Sequence, residues 1–126
     1  MAKIYLLLAA LNGALVVVLG AFGAHGLKQR LSTDMLAAYQ TGVQYHFYHT
    51  LALLAVALLM LQWPSNNTLR WSALLFCIGI VIFSGSLYVL SISGLRWLGA
   101  ITPIGGVAFI AGWLALALAV WKAEVN

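Results

Sequence analysis

The chain has 126 residues, only eight of them charged (six Lys or Arg, two Asp or Glu), with 64% apolar positions and a mean hydropathy of +1.04. Soluble domains carry about 25% charged residues, and a domain this short leaves too much surface uncovered to hide such a composition from water. The surrounding medium is therefore lipid, which excludes a soluble enzyme, a disordered tail and a disulfide-stapled secreted module.

Four charge-free runs, residues 4–27, 35–69, 71–95 and 97–121, each exceed the roughly 20 residues that a helix needs to cross hydrocarbon. They predict an all-α integral membrane four-helix bundle, a single domain over residues 1–126 with spans at about 4–24, 43–63, 71–92 and 103–121. The first span follows Lys3 and superficially resembles a secretion signal. Its apolar stretch is too long for one, and Phe22 occupies the place where an A-x-A cleavage site needs a small residue, so it is expected to stay attached.

Between the first two spans, Ser32 or Thr33 can cap a helix whose first turn holds Asp34, a carboxylate at the positive helix end. Leu36, Tyr39, Val43 and Phe47 then recur at helical spacing, which predicts a short interfacial helix that bends or runs into the second span, with Gly42 as the joint. Trp63-Pro64-Ser65-Asn66-Asn67 reads as a turn. Asn66-Asn67-Thr68 matches a glycosylation sequon, too close to the membrane to be read as more than coincidence. Tyr5, Trp63, Trp71 and Trp121 are expected at one headgroup level, and Tyr39, Tyr45, Tyr48 and Trp97 at the other. Trp113 breaks that pattern at mid-depth.

In lipid, close backbone approach at small residues marks helix contacts. Gly105, Ala108, Gly112, Ala115 and Ala119 lay such a groove along the fourth span. In the third, Ser72, Gly79, Ser86 and Ser93 form one stripe and Cys77, Ser84 and Ser91 another, which predicts two neighbours. Gly13, Gly20, Gly23 and Gly26 continue the theme in the first. Asn12, an amide within that span, is expected to bond a neighbouring helix. Four spans place both termini and the Asn66 turn on one side. Lys3, Arg70 and Lys122 there balance Lys28, Arg30 and Arg96 opposite, so the positive-inside rule ties and the N-terminal amine alone tips the termini toward the cytoplasm.

Polar side chains are expected to converge at the end opposite the termini: His25, His46, His49, Tyr88, Ser91 and Thr102. Thr102 reads as an N-cap followed by Pro103 in the first turn, with Gly105-Gly106 leaving the amides of the fourth helix approachable. His46 and His49, three apart, share a helix face. Such a set suits an ion, a small solute or a lipid headgroup. A three-His metal site, a bis-His haem and a proton relay are weighed and set below simple hydrogen bonding, because no Cys lies near and Asp34 is the one neighbouring carboxylate. No metal or cofactor is expected. The scattered net charge of +4 gives no nucleic-acid footprint, and neither a phosphate-cradling loop, a His-Glu-x-x-His pair nor a catalytic triad is present.

Taken in order, Gly20-Ala21-Phe22-Gly23-Ala24-His25-Gly26, then Thr41-Gly42 with Tyr45-His46 and His49-Thr50, then Phe83-Ser84-Gly85-Ser86-Leu87-Tyr88, then Thr102-Pro103-Ile104-Gly105-Gly106 with Gly112-Trp113, resemble the YgdD-like family of small bacterial inner-membrane proteins, domain of unknown function 423. The resemblance implies four spans, a multi-pass place in the bacterial inner membrane and no defined activity; it carries His25 and His49 but not His46. The residues together predict a non-enzymatic protein that associates, with itself or within a larger membrane complex, through small-residue faces. The alternative is a small transporter or channel component with its mouth at His25, His49 and Thr102.

Overall fold

The computed structural model describes residues 1–124 and is built of helices. α1 (Ala2–Phe22) passes into a π-helical turn at Gly23–Leu27, α2 runs Thr33–Gln62, α3 (Asn67–Gly79) continues through a π turn at Ile80–Ser84 into α4 (Gly85–Ser93), and a 3-10 turn at Arg96–Ala100 leads into α5 (Thr102–Lys122). Four stretches are long and apolar enough to cross a membrane: Ala2–Leu27, Thr33–Gln62, Asn67–Ser93 and Arg96–Lys122. The all-α, four-span architecture expected from the charge-free runs is thus the one found.

The helix that carries the second span begins well before residue 43. α2 is one unbroken 30-residue helix, and the interfacial segment expected before it forms its first turns. Ser32 supplies the cap, its hydroxyl accepting from the Met35 amide at 3.2 Å. Gly42 is no joint: its carbonyl accepts the Ser84 hydroxyl at 2.8 Å, and a Cβ there would come within 3.1 Å of the Tyr88 ring. The glycine admits a neighbouring helix instead of bending its own.

The helices pack in series. α1 lies against α2, α2 against the α3–α4 span, and α3 with its π turn against α5; α1 makes no extended contact with any span but α2. The third span has the two neighbours its stripes predict, although Ser91 and Ser93 spend their hydroxyls on their own helix. Toward α5, Ser72 donates to the Gly112 carbonyl at 2.8 Å, Gly79 lies under Phe109, and Ser86 meets Thr102 at 2.6 Å. Toward α2, Ser84 bonds Gly42. The core is apolar and contiguous, with Leu53, Val56, Leu69, Ala73, Phe76 and Ala119 fully buried.

Gly94 ends α4 at φ +76, the left-handed conformation that a residue without Cβ adopts freely. On the terminal side, the Asn66 amide donates to the Ala119 carbonyl at 2.9 Å, pinning the turn between α2 and α3 to the end of α5. The outer surface is a lipid face: Ile4, Leu7, Leu11 and Val18 on α1 and Ile104, Val107, Ile110 and Leu114 on α5 are all exposed.

Candidate functional site

The polar centre of this molecule is built around the middle of α2. His46 and His49 straddle the midpoint of α2, each within about 2 Å of it along the axis at 1.5 Å per residue. Asn12 lies about 4 Å from the midpoint of the first span, and Trp113 one residue from the midpoint of α5. The expectation that the three imidazoles gather at one rim does not hold: His46 bonds Asn12, near the middle of the first span, while His25 lies at the end of that span, about 20 Å away along the helix. Tyr45 and Tyr48 lie within three residues of the α2 midpoint rather than at a headgroup level, whereas Tyr39, about 13 Å from that midpoint, is buried between helices.

His46 links three spans. Its Nε2 is 2.8 Å from Asn12 Oδ1 and its Nδ1 2.8 Å from the Tyr88 hydroxyl. The Asn12 Nδ2 donates to the Leu8 carbonyl at 2.8 Å, which leaves Oδ1 as the acceptor facing the ring. Nε2 therefore carries the proton. A charged ring is costly at this depth, so Nδ1 is the lone pair that receives the Tyr88 proton. The result is a directional chain, Tyr88 O–H to His46, His46 N–H to Asn12, Asn12 N–H to Leu8, joining α4, α2 and α1.

His49 has the opposite tautomer. Its Nδ1 donates to the Tyr45 carbonyl at 2.7 Å, and its Nε2 accepts from the Trp113 indole, which can only donate, at 3.1 Å. The ring stacks on Phe109 with centroids 3.5 Å apart and 11° between planes. Three residues apart on one helix, the two imidazoles still serve different neighbours: His46 turns to α1 and α4, His49 to α5. All four ring nitrogens are committed, so the pair offers no lone pair to a metal.

The remaining expected members are dispersed. His25 is exposed in the π turn after α1, about 20 Å along the helix from Asn12. Ser91 donates back to the Tyr88 carbonyl of its own helix at 2.9 Å. Thr102 does not cap α5. It is the first helical residue, bonded through its hydroxyl to the Leu98 carbonyl at 3.3 Å and to Ser86, while Ile101 precedes the helix. Gly105 is likewise closed to a ligand, since a Cβ there would fall 2.3 Å from the Phe83 backbone nitrogen. The His25, His49 and Thr102 mouth is therefore not assembled.

Of the small residues expected to mark helix contacts, Gly20, Gly79, Ser86, Gly105 and Gly112 meet other spans of the same chain, while Ala108 is buried and Ala115 half-buried on α5. Trp113, unexplained at mid-depth by the aromatic pattern, is there to donate to His49. Asn12 does bond a neighbouring helix, as its position suggested. His46 was the weaker of the two adjacent histidines by resemblance and is the better connected in space; its depth relative to Asn12 was hidden by the assumed joint at Gly42.

Comparison with known proteins agrees with this architecture. Residues 19–106 match the family described as "Protein of unknown function (DUF423)". The chain belongs to the DUF423 family. It is 47% identical over 120 residues to the UPF0382 membrane protein YwdK of Bacillus subtilis, covering 95% of this chain and 98% of that protein. It is 45% identical over 120 residues to a UPF0382 membrane protein of Haemophilus influenzae, covering 95% of each. Against the UPF0382 inner membrane protein YgdD of Escherichia coli it is 43% identical over 111 residues, covering 88% of this chain and 84% of that one. No solved structure matches. With four spans of this length and these relatives, the DUF423 chain is a multi-pass inner-membrane protein in contact with lipid.

Proposed function

We propose that this protein is non-enzymatic and works by helix association in the membrane, presenting one flank of α1 to a partner. One observation carries the reading. Ala10, Ala14, Ala21 and, in the turn that follows, Ala24 lie on one flank, interrupted by Val17 at the same spacing, and all are exposed on a span whose one extended contact is with α2. The comparable stripe on α5, Gly105 to Ala119, is spent on α3 and its π turn within the chain. The small-residue surface left for association is therefore on α1, where close approach of another backbone gains van der Waals contact that lipid tails do not match.

The chemistry of the interior supports the same reading, because its imidazoles and hydroxyls are engaged in holding spans together. The transport alternative relied on a mouth that His25, His49 and Thr102 do not form. The test is Ala14→Leu and Ala21→Leu in full-length protein reconstituted in vesicles. Both positions are exposed, so helicity should be unchanged while association falls, read by energy transfer between labelled copies or by co-purification with a membrane partner. Unaltered association in both variants would overturn the reading.

A further inference from the structure

Beside the α1 flank lies a cleft of about 390 Å³ between α1 and α2, lined by Gly20, Gly23, Ala24, Gln40, Val43 and Gln44 among others. Ala24 belongs both to this cleft and to the exposed small-residue stripe, so the two surfaces are continuous. Gln44 lies about 5 Å and Gln40 about 11 Å from the midpoint of α2 along its axis, so with that midpoint at the bilayer centre Gln44 is well inside the roughly 15 Å half-thickness of the hydrocarbon and Gln40 nearer its edge. Both side chains are exposed. The hydrogen bonds from this stretch of α2 are made by Tyr39, Thr41, His46, His49 and Thr50; neither glutamine amide is among them.

An amide facing lipid at that depth has no water to bond and is too deep at Gln44 to snorkel to the headgroups. Something polar must cover it. A primary amide carries a donor and an acceptor side by side, so it is complementary to its own copy across a two-fold axis: each carbonyl oxygen accepts from the other's N–H. Acyl chains offer nothing equivalent. We infer that a second copy of this chain docks on the α1–α2 flank, pairing Gln44 with Gln44 and bringing the small α1 residues into contact. This rests on the association reading and specifies its partner.

The experiment uses the full chain in lipid vesicles, in a Cys77→Ser background labelled at Ser65→Cys, with energy transfer followed as protein is diluted into lipid. Wild type should show a dimer that dissociates on dilution, and Gln44→Leu should weaken it about tenfold with helicity and tryptophan fluorescence unchanged. Copper-catalysed oxidation should join Gln44→Cys chains and leave Leu118→Cys chains, on the outer face of α5, unjoined. If Ala14→Leu disperses the dimer while Gln44→Leu does not, association stands and the amide pairing is wrong. A protein monomeric at every dilution overturns the second copy and leaves the cleft to a lipid or another protein.

Discussion

His46 is an unusual residue to place at the centre of a bilayer, and its neighbours explain why it is tolerated: each ring nitrogen has one partner of the right polarity. The geometry fixes His46 as the Nε2–H tautomer and His49 as the Nδ1–H tautomer. Nitrogen-15 NMR of the imidazoles in micelles should therefore show mirror-image patterns, with the unprotonated signal from Nδ1 of His46 and from Nε2 of His49. Two identical patterns would contradict the directions assigned to the Tyr88, Asn12 and Trp113 bonds. Removing one partner leaves the others unpaired in lipid, where the cost exceeds the net worth of the bond. His46→Ala should destabilise the fold by about 1–3 kcal/mol in detergent-titrated unfolding. A double-mutant cycle of Asn12→Ala with His46→Ala should return a coupling of about 0.6 kcal/mol, the average for polar pairs between membrane helices, and no more than about 1.7 kcal/mol.

At the scale of the element, glycines separate into those that admit a neighbour and those that do not. At Gly105 an added Cβ would strike the Phe83 backbone, 2.3 Å away, and backbone cannot rotate aside. Gly105→Ala should push α5 from the π turn and cost about 1–3 kcal/mol. Gly85 has nothing within 4 Å, and alanine is the better helix former by about 1 kcal/mol, so Gly85→Ala should be neutral or stabilising in the same unfolding assay. The contrast shows what was legible in the sequence. Charge-free length alone gives four spans, and small-residue spacing correctly assigns two neighbours to the third. Gly42 shows where this stops. A glycine inside a helical pattern reads equally as a break or as a contact, and only the position of Tyr88 and Ser84 across the interface decides between them. With no break at Gly42, the interfacial turns and the second span form one helix, Thr33–Gln62.

For the whole molecule, the depth of His46 and His49 is the quantity on which every functional reading turns. A rim of imidazoles is open to ions and headgroups; a mid-depth layer is a set of clamps between spans. Tyr48, 53% exposed and next to the midpoint of α2, reports the difference, because a span over residues 43–63 would hold it about 7 Å nearer the headgroups. A nitroxide at Tyr48→Cys in a Cys77→Ser background should collide far more often with oxygen, which partitions into hydrocarbon, than with a water-soluble nickel chelate. A nitroxide at Ser65→Cys, in the exposed turn before α3, should show the reverse. Since the first three spans are joined through Asn12, His46 and Tyr88, the accessibility of Tyr48 reports the depth of that whole clamp. Nickel-dominated collisions at Tyr48 would return the histidines to the surface and reopen the binding mouth. Oxygen-dominated collisions support the clamp, and with it the proposal that association falls to α1, the span held by one neighbour.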